Sequence, residues 1–186
     1  MSRPPCFIVR TVPERLDMLA AILRELPDAI VVRDRCRDAM DTFLRALDAA
    51  GDAPAVHIED DAILCPRFRE RAQAEIAERP ESCIQFFSMR GADLTVGSRW
   101  DRNFMAALAF YMPAGWSAEL REYAATWPRR AEHPTGVDTM VGDWLRSRRR
   151  PHWIVVPNLV DHAPVRSAID PRRRRNRQSL TFGRSA

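Results

Sequence analysis

The apolar positions of the chain fall into short continuous runs separated by stretches of helical period. Cys6-Phe7-Ile8-Val9, Ala29-Ile30-Val31-Val32 and Ala55-Val56-His57-Ile58 each read as a buried strand. Between the first two, Leu16, Leu19, Leu23 and Leu26 recur at helical spacing. Thr11 and Glu14 have capping-box spacing, Pro13 sits in the first turn, and Pro27 ends the run. Between the second and third strands, Met40, Phe43, Leu44 and Leu47 mark another helix, stopped at Gly51. The order β-α-β-α-β predicts a parallel, doubly wound sheet.

The pattern continues with a helix over residues 66–78, with Phe68, Ala72 and Ile76 on one face, and a strand over Ile84-Gln85-Phe86-Phe87. Residues 88–101 lack periodicity and are long for a simple connection, which predicts a functional loop or lid. A strand is expected over residues 104–111, helices over 117–127 and 135–148, and a last strand at Trp153-Ile154-Val155-Val156. One domain over residues 1–165 is expected, followed by a basic, mobile tail over 166–186.

The third strand runs straight into Glu59-Asp60-Asp61. Adjacent carboxylates repel one another, so the triplet is either a solvated acidic turn or a site for a hard divalent cation. In doubly wound sheets ligands bind beyond the carboxyl ends of the strands. The acids lie there, and so do Arg10-Thr11 after the first strand and Arg33-Asp34-Arg35 after the second. Together they form a candidate nucleotide site. The absence of G-x-G-x-x-G disfavours a dinucleotide fold.

Composition narrows the chemistry. All 29 basic residues are arginine. Without lysine there is no Schiff-base chemistry and no P-loop lysine. The four cysteines are scattered, which fits neither a zinc pattern nor a disulfide framework. No apolar run approaches the roughly 20 residues that span a bilayer, and a cytoplasmic protein is expected. The net charge of +4 owes much to six arginines between Arg166 and Arg177, set against the single acid Asp170.

Two further residues stand out. His162 leaves a strand end as the acids do, and would serve as an extra cation ligand; its ordinary alternative is a capping or core histidine. Asp138 either completes a capping box with Thr135 or, bordering the stripe of Val137, Met140, Val141, Trp144 and Leu145, faces a cleft as a general base. Asp143 lies farther from that stripe and is expected at the surface. Trp100, in the irregular stretch, is the candidate for stacking on a sugar or base.

In order along the chain, Val12-Pro13-Glu14-Arg15, Glu59-Asp60-Asp61, Ala109 to Pro113, Asp138, and Pro157-Asn158-Leu159-Val160-Asp161-His162 with Ser167 soon after resemble the GT-A glycosyltransferases. The likeness is to the lipopolysaccharide and collagen galactosyltransferase-like family, in a shortened form of the kind phages also carry. The resemblance implies a three-layer α/β/α sandwich with a mainly parallel twisted sheet. It implies a hexosyltransferase that uses a nucleotide-sugar donor, of UDP-sugar type, with Mn²⁺ or Mg²⁺. Glu59-Asp60-Asp61 matches the D-x-D motif, with Asp61 on the metal and Glu59 on the ribose or the metal's water. His162 matches the late metal ligand, and Arg10, Thr11 and Arg15 match the nucleotide cradle. Asp138 matches the base of inverting members. Glu in the first motif position, the short chain and the lack of an acceptor domain are departures from the family. The expected acceptor is polyanionic, DNA carrying modified bases or a cell-surface glycan. A metal-dependent phosphoesterase or nuclease, and a nucleic-acid-binding module built on Arg172 to Arg175, are the alternatives.

Overall fold

The structure is a computed structural model and describes residues 3–128, 136–168 and 177–184. The first elements are β1 (Cys6–Thr11), α1 (Leu16–Glu25), β2 (Ile30–Arg33), α2 (Ala39–Ala50) and β3 (Ala55–Glu59). They are followed by β4 (Ala62–Leu64), α3 (Phe68–Glu78), β5 (Cys83–Gln85), β6 (Arg99–Asp101) and β7 (Ala109–Met112). The remainder is α4 (Trp116–Thr126), α5 (Val137–Ser147), β8 (His152–Ile154) and β9 (Val160–His162).

Seven strands form one sheet in the order β2-β1-β3-β7-β5-β8-β6. The predicted parallel half is present: β1 lies between β2 and β3 and runs parallel to both. The sheet as a whole is mixed rather than mainly parallel. β7 enters antiparallel to both β3 and β5, and β6 closes the far edge antiparallel to β8. Among the described residues, only β5 and β8 repeat the parallel pairing beyond the first three strands.

Side chains alternate between the faces of the sheet, as strand geometry requires. From β1 and β3, Phe7, Val9, Val56 and Ile58 pack with Leu19 and Ile22 of α1 and Phe68 and Ala72 of α3. On the opposite face, Phe110 and Met112 of β7 pack with Phe43 of α2, Leu120 of α4 and Trp144 of α5. The result is a sheet between two helical layers. Each fully buried aromatic or aliphatic side chain contributes about 1.5–3 kcal/mol.

Helix α2 shows how local sequence sets an element. Asp38 caps it by accepting the N–H groups of Met40 and Asp41 at 2.9 and 3.2 Å. Met40, Phe43 and Leu47 bury one face, and Gly51, at φ 54°, ends it. The start of α1 differs from the expected capping box. Thr11 is the last residue of β1, and a short 3₁₀ turn at Pro13–Arg15 precedes α1. The Val12 N–H goes to Asp60 Oδ2 at 2.7 Å, and among the described residues no side chain caps the turn or α1.

Three other expectations change. The strand predicted from residue 104 begins at Ala109, because Ala106 turns to φ 70° and interrupts the extended backbone. The stretch 88–101 is held by its own ion pairs, Arg90 to Asp101 and Arg99 to Asp93. Trp100 lies on the edge strand β6, in edge contact with Trp153, far from the acids in the strand order.

A second, two-stranded sheet was not expected from the sequence. β4 pairs antiparallel with β9, and His162 stands opposite Ala62. Part of the expected mobile tail packs against the domain. Ser179 donates its N–H to Asp161 and its hydroxyl to Asn158, each at 2.6 Å, and Thr181 is buried. The arginine run Arg172 to Arg175 and Thr135, the expected partner of Asp138 in a capping box, lie outside the described residues. Among the described residues, no helix is long and apolar enough to cross a membrane.

Candidate nucleotide and cation site

The carboxyl ends of β1, β2 and β3 converge on one pocket, as doubly wound topology predicts. Arg10, Thr11, Arg15, Asp34, Glu59, Asp60, Asp61 and Asp138 all line it. Arg35 does not; it is exposed and faces a neighbouring recess that shares Asp34. His162 lies behind the lining, buried against Asp61. Ser167, Ala168 and Arg177 cover the pocket from the C-terminal side. The free volume beneath them is only about 80 Å³, against roughly 300 Å³ or more for a small-molecule pocket.

The three acids have separate positions. Glu59 ends β3 and its carboxylate lies 3.3 Å from the Arg10 guanidinium. Asp60 and Asp61 form the turn into β4. Both oxygens of Asp60 are taken by the chain itself: Oδ2 by the Val12 N–H and Oδ1 by Arg15 Nη1 at 2.8 Å. Burial is the largest influence on Asp60 and raises its pKa above the usual carboxylate value, against the pull of these donors. Asp60 is therefore a latch between β3 and the start of α1 rather than a free ligand. Arg15 Nη1 also reaches Asp61 Oδ2 at 2.7 Å. Burial works against the Arg15 charge, but Asp61 and Asp60 outweigh it and raise its pKa.

Asp61 keeps Oδ1 buried without a hydrogen-bond partner among the described residues. Its Oδ2 lies 3.4 Å from His162 Nε2. His162 Nδ1 is 2.6 Å from the Ala163 carbonyl, which makes Nδ1 the protonated nitrogen and leaves Nε2 a lone pair. That lone pair meets Arg177 Nη2 at 2.6 Å. Burial lowers the His162 pKa, Asp61 opposes this, and Arg177 adds to it. Metal-ligating histidines are commonly oriented by a backbone carbonyl in this way, and here Nε2 is held by Arg177.

These residues fit a divalent ion of a particular kind. Among the described residues no group of three His, Cys, Asp or Glu is set to hold a metal. A Mg²⁺-like ion takes one or two protein ligands and completes its shell with water and substrate phosphate. Asp61 offers one such ligand, a carboxylate; His162 beside it presents an imidazole nitrogen that Arg177 holds, and Glu59 is turned to Arg10.

Asp34 supplies a second unsatisfied carboxylate. It is buried just beyond β2, where its Oδ1 accepts the Cys36 N–H at 2.9 Å. Its Oδ2 is buried with no partner among the described residues. Such an oxygen at a pocket wall needs a donor, and a ribose hydroxyl is one.

Asp138 and Arg10 grip the same residue. Asp138 Oδ1 accepts the Ala107 N–H at 2.8 Å, and Arg10 Nη2 donates to the Ala107 carbonyl at 2.8 Å. Gln85 Nε2 holds the carbonyls of Met105 and Ala106. The positive φ of Ala106 costs about 1–2 kcal/mol, which these bonds offset. Asp138 is half-buried and faces the pocket from the first turn of α5. Asp143 points elsewhere, accepting the Trp127 indole N–H at 2.9 Å.

His57, predicted to pack in the sheet, stacks on Phe110 and is fully buried. Burial, reinforced by Arg10, lowers its pKa to about 3. Arg177 and Asp161 were not singled out from the sequence. Nothing in an arginine-rich tail marks one arginine for a buried histidine. Asp161 precedes His162 and accepts both the His162 and Ser179 N–H groups, which anchors the returning chain.

No protein-family model matches the chain, and no curated protein matches its sequence. Solved structures do match. One, titled "Crystal Structure of A197 from STIV", is 11% identical, with 84% of this chain and 83% of that chain covered and a TM-score of 0.49.

Proposed function

We propose that this chain is a divalent-ion-assisted glycosyltransferase that moves a sugar from a nucleotide-sugar donor, of UDP-sugar type, to a hydroxyl acceptor. The observation that carries this reading is a pair of buried carboxylate oxygens. Asp34 Oδ2 and Asp61 Oδ1 lack partners among the described residues and belong to one pocket at the strand ends. The first suits ribose hydroxyls and the second, with His162, a cation carrying a diphosphate. The sequence resemblance to GT-A enzymes agrees with this division.

When bound, the ion stabilises negative charge developing on the leaving diphosphate. The chain's own residues do the rest. Asp34 orients the nucleoside, and Arg15 stays charged beside Asp61. Asp138 accepts the proton of the acceptor hydroxyl as that oxygen attacks the anomeric carbon and the bond to the diphosphate breaks. Attack opposite the leaving group inverts the anomeric centre. Donor access requires the covering chain to move. Arg15 holds the Arg166 carbonyl at 2.8 Å and Arg177 holds His162, so both contacts must open.

A two-metal phosphoesterase is less well supported, because Asp60 and Glu59 are engaged by Val12, Arg15 and Arg10 rather than turned to a shared cation site.

Thermal unfolding with UDP and Mn²⁺ tests the reading. Stabilisation by UDP that needs Mn²⁺, and that disappears in Asp61→Ala and weakens in Asp34→Ala, is expected. If no nucleoside diphosphate stabilises the protein with or without the ion, the reading fails.

A further inference from the structure

Asp138 belongs to two cavities. One face meets the pocket above. The other meets a groove of about 410 Å³ that also includes Met89, Phe104, Met105, Thr139 and Arg146. A carboxylate shared between a donor pocket and a second cavity stands where a second substrate must present its hydroxyl.

The groove is of mixed polarity, with Met89 and Met105 beside Asn103, Asp138, Thr139 and Arg146. Met89 and Met105 are exposed by 36% and 40%, while Phe104 is buried with its ring packed on Phe110 and His152. Methionine sulfur and methyl groups pack well on aromatic rings. Charge is nearly balanced: Asp138 and Arg146 are the charged residues of the lining, and Arg146 is ion-paired to Asp143. This does not suit a polyanion, which would call for unpaired cations.

The groove is also built rather than loose. The backbone from Met105 to Ala107 is held by Gln85, Asp138 and Arg10. Arg90 holds the Asn103 carbonyl. Gly142 of α5 also lines the groove.

We propose that this groove binds the acceptor, and that the acceptor is an uncharged hydroxyl compound carrying an aromatic ring. The ring lies against Met89 and Met105, and the hydroxyl turns to Asp138. This rests on the transferase reading above, and it replaces the polyanionic acceptor expected from the arginine-rich tail.

The test uses the full chain with isotope-labelled methionine methyls. It is titrated with phenyl β-D-glucopyranoside, with methyl β-D-glucopyranoside and with a short DNA duplex. Buried Met40, Met112 and Met140 report that the fold is intact. The phenyl glycoside shifts the Met89 and Met105 signals saturably and binds about tenfold tighter than the methyl glycoside. Met89→Gln and Met105→Gln each weaken it roughly fivefold while the buried methionine signals stay in place. Equal affinity for the two glycosides, no shift at either methionine, or a response to DNA alone would overturn the proposal. The two readings fail separately. Absence of UDP binding with ring binding intact removes the transferase reading, whereas UDP binding without ring binding removes the aromatic acceptor alone.

Discussion

His162 Nε2 and Asp61 Oδ2 face each other 3.4 Å apart, and the Ala163 carbonyl fixes the histidine so that two lone pairs meet. Such a pair repels unless a cation lies against it. Arg15 and Arg177 supply that charge from opposite sides, on Asp61 and His162 respectively.

The first prediction follows from this pair. His162→Ala should weaken Mn²⁺-dependent UDP binding by about 10–100-fold. Asp61→Ala should remove the dependence on the ion altogether. Calorimetric titration of UDP at fixed Mn²⁺ checks both. Undiminished ion dependence in Asp61→Ala would remove the residue from the cation site.

Arg177 competes for the same nitrogen. Arg177→Ala should free His162 Nε2 and raise the affinity for Mn²⁺, with the gain lost in the double variant with His162→Ala. Titration with Mn²⁺ alone, followed by electron paramagnetic resonance of the free ion, reads this directly. Weaker ion binding in Arg177→Ala would show that the arginine supports the site instead of blocking it.

Much of this site was legible because period and strand ends are local signals. The β-α-β-α-β half could be read from apolar spacing, and it put Thr11, Asp34 and Asp61 at one edge. What the sequence hid was long-range. β4 and β9 are three residues each, too short to show a period, yet their pairing brings His162 to Asp61. Thr11 looked like a helix cap because Glu14 follows at the right spacing; instead it ends β1, and the next N–H, that of Val12, is bound by Asp60 from 48 positions away. The reversed insertion of β7 depends on tertiary packing, which apolar pattern does not encode.

Asp60 separates a structural acid from a functional one. Its pair with Arg15 is nearly buried, at 5% and 12% side-chain exposure. Asp60→Ala leaves the Val12 N–H without its acceptor and takes away one of the two carboxylates on Arg15, Asp61 keeping the other, and should cost about 1–3 kcal/mol. Asp60→Asn keeps an acceptor for Val12 and should cost less. Urea midpoints measure the difference. A change within experimental error in Asp60→Ala would mean that the latch contributes nothing.

Asp138→Asn preserves an oxygen for the Ala107 N–H but removes the proton acceptor. UDP affinity should stay near wild type while sugar transfer falls by about 10²–10⁴-fold. Single-turnover rates at saturating donor make the comparison. Loss of UDP binding would make Asp138 a support of the pocket rather than the base.

Acid stability follows from two buried histidines. His57 and His152 are both fully buried, and none of their ring nitrogens has a hydrogen-bond partner among the described residues. Burial lowers their pKa values to about 3 and about 4, from 6.5. Between those values and 6.5 the unfolded chain binds protons that the folded chain refuses. Folding stability is therefore complete above pH 6.5 and declines as pH falls below it, by up to about 1.4 kcal/mol per unit for each histidine. His57→Phe, placed between Phe43 and Phe110, should remove the His57 contribution and make the acid limb shallower. Urea midpoints at about pH 7 and about pH 5 give the slope. A stability that stays level across that interval, or an unchanged slope in His57→Phe, would mean that these rings admit a proton without unfolding.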